Sequence, residues 1–170
     1  MFKLPFDPVK RAEVVEGIVM ENRKRKYYRF RAAPYYGGIA TADLLGCCML
    51  CAYCWNYLKN LRPEKVKAKF YSPQEVSSKL LEIAKRTGFN RARITGGEPI
   101  LGKKSFEHLY RVVKKVNKRS NLDFIIETNG IILGYMPELI DKLTEFSRIS
   151  VRISLKGWNE ASFERISGAR

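Results

Sequence analysis

The chain is poor in the usual metal and disulfide residues: one histidine, and only four cysteines, all within residues 47–54. Cysteines packed this closely do not build a disulfide framework, and nothing resembling a signal peptide precedes them. The opening Met1-Phe2-Lys3-Leu4-Pro5 has neither an apolar core nor a small-residue cleavage site. No apolar run is long enough for a bilayer span; the longest, Leu44 to Trp55, is short and full of cysteine. No membrane association and a cytoplasmic, reducing location are therefore expected. Acidic residues are also scarce, 17 against 32 basic ones, leaving a net charge of +15. That excludes little about fold, but it favours polyanionic contacts: nucleic acid, an acidic electron-transfer protein or anionic small molecules. Internal repeats and low-complexity linkers are absent.

What is present fits one globular domain. At 170 residues with 45% hydrophobic content, the chain can bury a substantial core. Residues 1–34 read as an N-terminal extension and residues 35–170 as the main unit. Within the extension, Pro8 to Met20 suits a short helix or a strand pair. Arg23 to Arg31 holds six basic residues among nine, interleaved with three aromatics. It reads either as a platform for phosphates and stacked bases or as a solvated hairpin edge, and the hairpin edge is the expectation.

From Gly37 a strand–helix rhythm sets in. A strand to about Leu44 delivers the cysteines, and Ser72-Pro73-Gln74-Glu75 opens a helix that stops at Gly88. Strands at Arg91–Thr95, Leu122–Thr128 and Arg148–Lys156 alternate with helices at Ser105–Lys118, Pro137–Phe146 and Asn159–Ile166. This is the α/β pattern of parallel βα units, about four of them. One face of each strand is polar: Thr41 with Asp43, Arg91 with Arg93 and Thr95, Asp123 with Glu127, and Arg152 with Ser154 and Lys156. Parallel strands covered on both faces read as continuous apolar runs, so this alternation predicts a barrel whose polar lumen does chemistry.

Cys47, Cys51 and Cys54 are separated by three residues and then two. On a loop, such spacing lets thiolates converge on one soft-metal centre. Zinc would want a fourth ligand, for which only Cys48 and His108 offer themselves. A plain buried cysteine cluster and a disulfide are the remaining alternatives. An iron–sulfur cluster held by three thiolates, with one iron open, suits the triad best, and Cys48 points elsewhere.

In α/β folds the active site gathers at the carboxyl ends of the strands. After the cysteine loop these ends are Thr95-Gly96-Gly97-Glu98-Pro99, Glu127-Thr128-Asn129-Gly130 and Ser154-Leu155-Lys156-Gly157. Two glycines let main chain approach a ligand closely, and Glu98 offers a carboxylate to a cationic amine.

The cysteine triad with Tyr53 before its last member, together with Gly96-Gly97-Glu98-Pro99, resembles the radical S-adenosylmethionine enzymes. The resemblance covers roughly residues 39–170. It implies a partial (β/α) barrel and a 4Fe-4S cluster on Cys47, Cys51 and Cys54. It also implies S-adenosyl-L-methionine as cofactor, cleaved reductively to a 5′-deoxyadenosyl radical that abstracts hydrogen from a substrate. By the same resemblance Gly96, Gly97 and Glu98 hold the methionine amine, Ser154 and Lys156 contact ribose or carboxylate, and Asn129 helps hold cofactor or substrate. No catalytic residue is assigned. Trp55-Asn56 with Ser154-Leu155-Lys156 is similar to the enzymes that activate glycyl-radical partners. Those carry aspartate where Ser154 stands, and serine there is more like the cofactor- and peptide-modifying branches. The family implies a reductant such as ferredoxin or flavodoxin, with a small molecule, peptide or RNA as substrate. A closed barrel takes about 250 residues, and the adenine-contacting motif of a fifth strand is absent, so a fragment of a longer protein is expected. The competing class is a metal-stabilised nucleic-acid-binding module without catalysis.

Overall fold

A computed structural model describes residues 3–170. The chain opens with helix α1 (Pro8–Val19), where Asp7 caps the first turn by accepting from the N–H groups of Val9 and Lys10. Strands β1 (Met20–Glu21) and β2 (Lys24–Ala33) form a hairpin, and β2 runs on antiparallel to β3 (Ile39–Leu44). After the cysteine loop come α2 (Tyr57–Leu61) and the short β4 (Lys69–Tyr71). Next are α3 (Pro73–Thr87), β5 (Arg91–Thr95), α4 (Lys103–Arg119) and β6 (Asp123–Thr128). The chain finishes with α5 (Ile131–Tyr135), α6 (Glu138–Leu143), β7 (Ile149–Ile153) and α7 (Glu160–Ser167).

All seven strands make one sheet in the order β1-β2-β3-β5-β6-β7, with β4 pairing β2. The pairs β3–β5, β5–β6 and β6–β7 are parallel, so the fold is the expected partial βα barrel with four parallel strands. Its second wall is β2, which comes from the segment read as an N-terminal extension and pairs β3 from Tyr27 to Ala33. Only part of the Arg23–Arg31 run is a free edge: β1 and then β3 flank it on one side, while β4 covers Arg25 to Tyr27 on the other.

Local signals explain most helix limits. Ser72 and Glu75 form the reciprocal capping box at the start of α3, and Gly88 ends it at φ +71°. The helix expected from Pro137 to Phe146 is the shorter α6, and α5 stands before it as a further short helix not expected from the sequence. Pro137 disfavours helical backbone in the residue before it, and Met136 sits at φ −128°, ψ 71° between α5 and α6. The last strand stops at Ile153, short of the expected Lys156, although the Ser154 N–H still donates to the Thr128 carbonyl at 2.8 Å.

The two faces of the sheet separate as the alternation required. Ala40, Ala42, Leu44, Ala92, Ile94, Phe124 and Ile126 pack beneath Val76, Leu80 and Ile83 of α3 and Phe106, Leu109, Val112 and Val116 of α4. The opposite face is polar and forms a cup, plugged at the amino-terminal end by the small cluster of Ala33, Ile39 and Ile125. Among the described residues no helix is long and apolar enough to cross a membrane.

Candidate functional site

The cysteine loop follows β3 and is held from behind. The Leu50 and Ala52 N–H groups donate to the carbonyls of Ser167 and Ile166, both at 2.9 Å. Those carbonyls belong to the last turn of α7, where a helix leaves acceptors without intrahelical partners. Within the loop the Cys54 N–H donates to the Cys51 carbonyl at 2.9 Å. Asn129 Nδ2 lies 3.7 Å from Cys47 Sγ and 3.1 Å from Cys48 Sγ.

Cys47, Cys51 and Cys54 line one cavity of about 280 Å³, together with Gly96, Gly97, Glu98, Asn129, Ser154 and Lys156. Every residue singled out from the sequence therefore meets at one place, the carboxyl ends of β3, β5, β6 and β7. Cys48 is fully buried in the core and is not part of the cavity lining. His108 lies on α4 behind the sheet, its Nδ1 3.1 Å from the Arg23 carbonyl and its Nε2 3.1 Å from the Tyr27 hydroxyl. A carbonyl only accepts, so Nδ1 carries the proton and Nε2 accepts from Tyr27.

The thiols differ in environment. The Cys48 thiol, the Met49 N–H and Asn129 stabilise the Cys47 thiolate and draw its pKa down. Burial pushes Cys51 up to about 11. Among the described residues no three His, Cys, Asp or Glu groups converge on one point as a single metal ion requires. An iron–sulfur cluster spreads its thiolates over separate irons, so convergence on a point is not what it needs.

The Gly-Gly-Glu turn is tied to the cysteine loop and to α2 through its main chain. The Gly96 carbonyl is not free: Asn56 Nδ2 donates to it at 2.5 Å and Asn60 Nδ2 at 3.2 Å. A Cβ on Gly97 would sit 2.4 Å from the Gly46 carbonyl oxygen, so glycine here lets two loops meet. The Glu98 N–H donates to that same Gly46 carbonyl at 2.7 Å. Buried main-chain polar groups need partners, and here the two loops supply each other's.

Glu98 is buried, and its carboxylate ties β5 to β6. Oε1 accepts from Thr128 Oγ1 at 2.6 Å and from the Ile100 N–H at 3.0 Å; Oε2 accepts from the Asn129 N–H at 2.7 Å. A carboxylate has about four acceptor positions, so one remains on Oε2 for a ligand N–H. Burial lifts its pKa to about 7 against the pull of these donors and of Arg25.

Asn60 and Arg25, which the sequence did not single out, complete the site together with Asn56. Asn60 accepts from the Gly46 N–H at 3.1 Å through Oδ1, and its Nδ2 lies 3.8 Å from Cys54 Sγ. Asn56 shares the Gly96 carbonyl. Arg25 is buried under the turn and donates through Nη2 to the carbonyls of Leu45 at 2.9 Å and Glu98 at 3.0 Å. Its position inside a basic run hid it, since such residues are usually solvated.

The model of the Radical SAM superfamily matches residues 44–170. The chain belongs to the radical SAM superfamily. Members of this superfamily use a 4Fe-4S cluster and S-adenosylmethionine. Among curated proteins the chain is 31% identical over 122 residues to a GTP 3′,8-cyclase of Clostridium acetobutylicum, covering 71% of this chain and 35% of that protein. It is 27% identical over 122 residues to a probable GTP 3′,8-cyclase of Thermoplasma volcanium, covering 72% and 33%. A probable GTP 3′,8-cyclase of Methanococcus aeolicus is 25% identical over 149 residues, covering 88% and 43%. The chain thus spans between a third and a half of the length of these relatives.

Proposed function

We propose that this chain forms the cluster- and cofactor-holding part of a radical SAM enzyme that abstracts hydrogen from a small-molecule substrate seated in the polar cup. The supporting observation is that the three cysteines of the spaced triad share one cavity with the ends of β5, β6 and β7. Cys47, Cys51 and Cys54 would ligate the cluster, leaving one iron for the cofactor. Glu98 Oε2 would accept from the methionine ammonium, while Gly96 and Gly97 shape the turn that carries it. Asn129, Ser154 and Lys156, which line the same cavity, would donate to the carboxylate and ribose oxygens. When bound, cluster and cofactor supply one-electron reduction of the sulfonium and the hydrogen-abstracting group; the protein orients the cofactor and excludes water.

The relatives are named for cyclisation of GTP, which favours a small-molecule substrate over a partner protein's glycyl residue. A ferredoxin or flavodoxin would supply electrons, and the net charge of +15 suits such acidic donors. A cytoplasmic location suits an oxygen-sensitive cluster. The alternative of a nucleic-acid-binding module has a reduced platform, because Arg25 is buried and the Nε groups of Arg29 and Arg31 are held on Asp43.

Anaerobic reconstitution tests the reading. Iron and sulfide in equal amounts, with an electron-spin signal that changes on adding S-adenosylmethionine, support it; one tight zinc and no such signal refute it. Cys51→Ala should abolish cluster binding while Cys48→Ala retains it, and equal loss from both would overturn the ligand assignment.

A further inference from the structure

A second cavity, of about 640 Å³, opens in the cup between β2, β5 and β6 and shares Trp55, Thr95 and Glu127 with the cofactor cavity. Its size is that of an ordinary small-ligand pocket. Its wall on the β2 side exists because of a bulge. Tyr27 pairs with Leu44 and Arg29 with Asp43, so Tyr28 is an extra residue with no opposite number on β3. Arg25 and Tyr27 face the helices; two and four residues on, Arg29 and Arg31 face the cup, where regular alternation would have put them under the helices.

The cup side holds more positive charge than its carboxylates neutralise. Asp43 is fully buried and takes Arg29 Nε at 2.6 Å and Arg31 Nε at 2.8 Å on Oδ2, with Arg31 Nη2 at 3.3 Å on Oδ1. Arg31 alone is a two-point partner for that carboxylate, which leaves Arg29 surplus to the pairing. The terminal nitrogens of Arg29 hydrogen-bond no protein atom among the described residues, and its side chain is 45% exposed toward the cavity. The neighbouring Arg93 is already balanced: its Nη1 donates to Glu127 at 2.9 Å, and its guanidinium lies over the rings of Tyr35 and Tyr36. A fixed fork of unused donors beside a cofactor cavity is the arrangement that recognises an oxyanion.

We infer that Arg29, seconded by Arg31, binds a phosphate or carboxylate of the substrate and so aims the rest of that molecule past Thr95 toward the cofactor. The inference rests on the radical-enzyme reading and adds the substrate's chemical class to it.

Calorimetric titration of the anaerobically reconstituted chain with phenyl phosphate, benzoate and phenol, S-adenosylmethionine present, tests it. At least one of the two anions should bind and phenol should not, and raising sodium chloride should weaken binding. The stronger anion tells whether phosphate or carboxylate is the natural group. Arg29→Gln should weaken that anion roughly tenfold or more, and Arg29→Lys by less, as charge without the fork is retained. Absence of anion binding, equal binding of phenol, or full affinity in Arg29→Gln would overturn the inference. The electron-spin response to S-adenosylmethionine is read in the same samples: if the unaltered chain lacks it, the proposed function fails, whereas its presence without anion binding defeats only the subsite. Should Arg29→Gln lose its cluster, the salt dependence and the phenol comparison on the unaltered chain decide the matter.

Discussion

The two sides of the cofactor cavity are built differently. At the ends of β3, β5 and β6 the loops are tied together by protein partners: Asn60 bridges Gly46 and Gly96, Arg25 holds two carbonyls, and Glu98 collects three donors. At the end of β7, Ser154 is exposed, and Lys156 lies 5.5 Å over the Tyr53 ring without a carboxylate. Ile153 and Leu155 beside them are 55% and 82% exposed. One side is therefore preorganised before any ligand arrives, and the other acquires its geometry from what it holds. Preorganisation belongs where the cluster and the methionine end must be fixed most closely.

Substitutions on the closed side should therefore dominate. Asn60→Leu strips partners from the buried Gly46 N–H and leaves Gly96 with Asn56 alone. At about 1–3 kcal/mol per orphaned group, the folded state should lose roughly 3 kcal/mol. A urea midpoint measures this, and iron content after reconstitution should fall with it. An equal loss from Ser154→Ala would erase the contrast between the two sides.

The closed side should also be acid-sensitive through its support behind β2. Burial lowers the pKa of His108 from 6.5 to about 4, so the folded chain keeps the imidazole neutral while the unfolded chain takes up a proton below pH 6.5. The stability from this group is complete above pH 6.5 and is lost as the pH falls toward 4, a change of about 3 kcal/mol. Denaturant midpoints across that range should slope downward with acid. The slope should flatten in His108→Gln, which keeps a donor for Arg23 without the proton site.

Glu98→Gln comes next. A carboxamide keeps one acceptor for Thr128 and Ile100 but turns an NH₂ toward the Asn129 N–H, setting donor against donor. A loss of about 2 kcal/mol is expected, and calorimetry should show weaker S-adenosylmethionine binding because the remaining acceptor on Oε2 is gone. Unchanged affinity would mean that the ammonium is held elsewhere.

The sequence carried the succession of the four parallel strands and the residues that line the cavity because both rest on short-range patterns: polar–apolar alternation, cysteine spacing, glycine before glutamate. It did not carry the ties between those groups. Arg25 and Arg31 have the same parity along β2 yet face opposite ways, because one extra residue at Tyr28 shifts the phase. In a run of arginine, lysine and tyrosine both faces look alike, so nothing marks the bulge. Asn60 sits on a short helix where asparagine usually reads as solvated, and only the fold brings Gly46 and Gly96 to it. The Gly96 carbonyl is satisfied for a general reason: a turn buried between loops cannot leave its main chain unpaired. The helix boundary at Pro137 was legible, since proline restricts the residue before it.

The weakest expected effect is also the sharpest probe of the open side. Lys156→Ala removes a half-buried side chain whose amine contacts the Tyr53 ring, so folding stability should stay within about 0.5 kcal/mol of the unaltered chain. S-adenosylmethionine should nevertheless bind several-fold more weakly, and the loss should shrink as salt rises, because a point charge on a flexible stem acts through screened attraction. A drop in stability comparable to that of Asn60→Leu would show Lys156 to be part of the rigid frame after all. A salt-independent loss of affinity would place the ammonium in a desolvated contact. Either result would make the β7 rim a second preorganised wall instead of one shaped by its ligand.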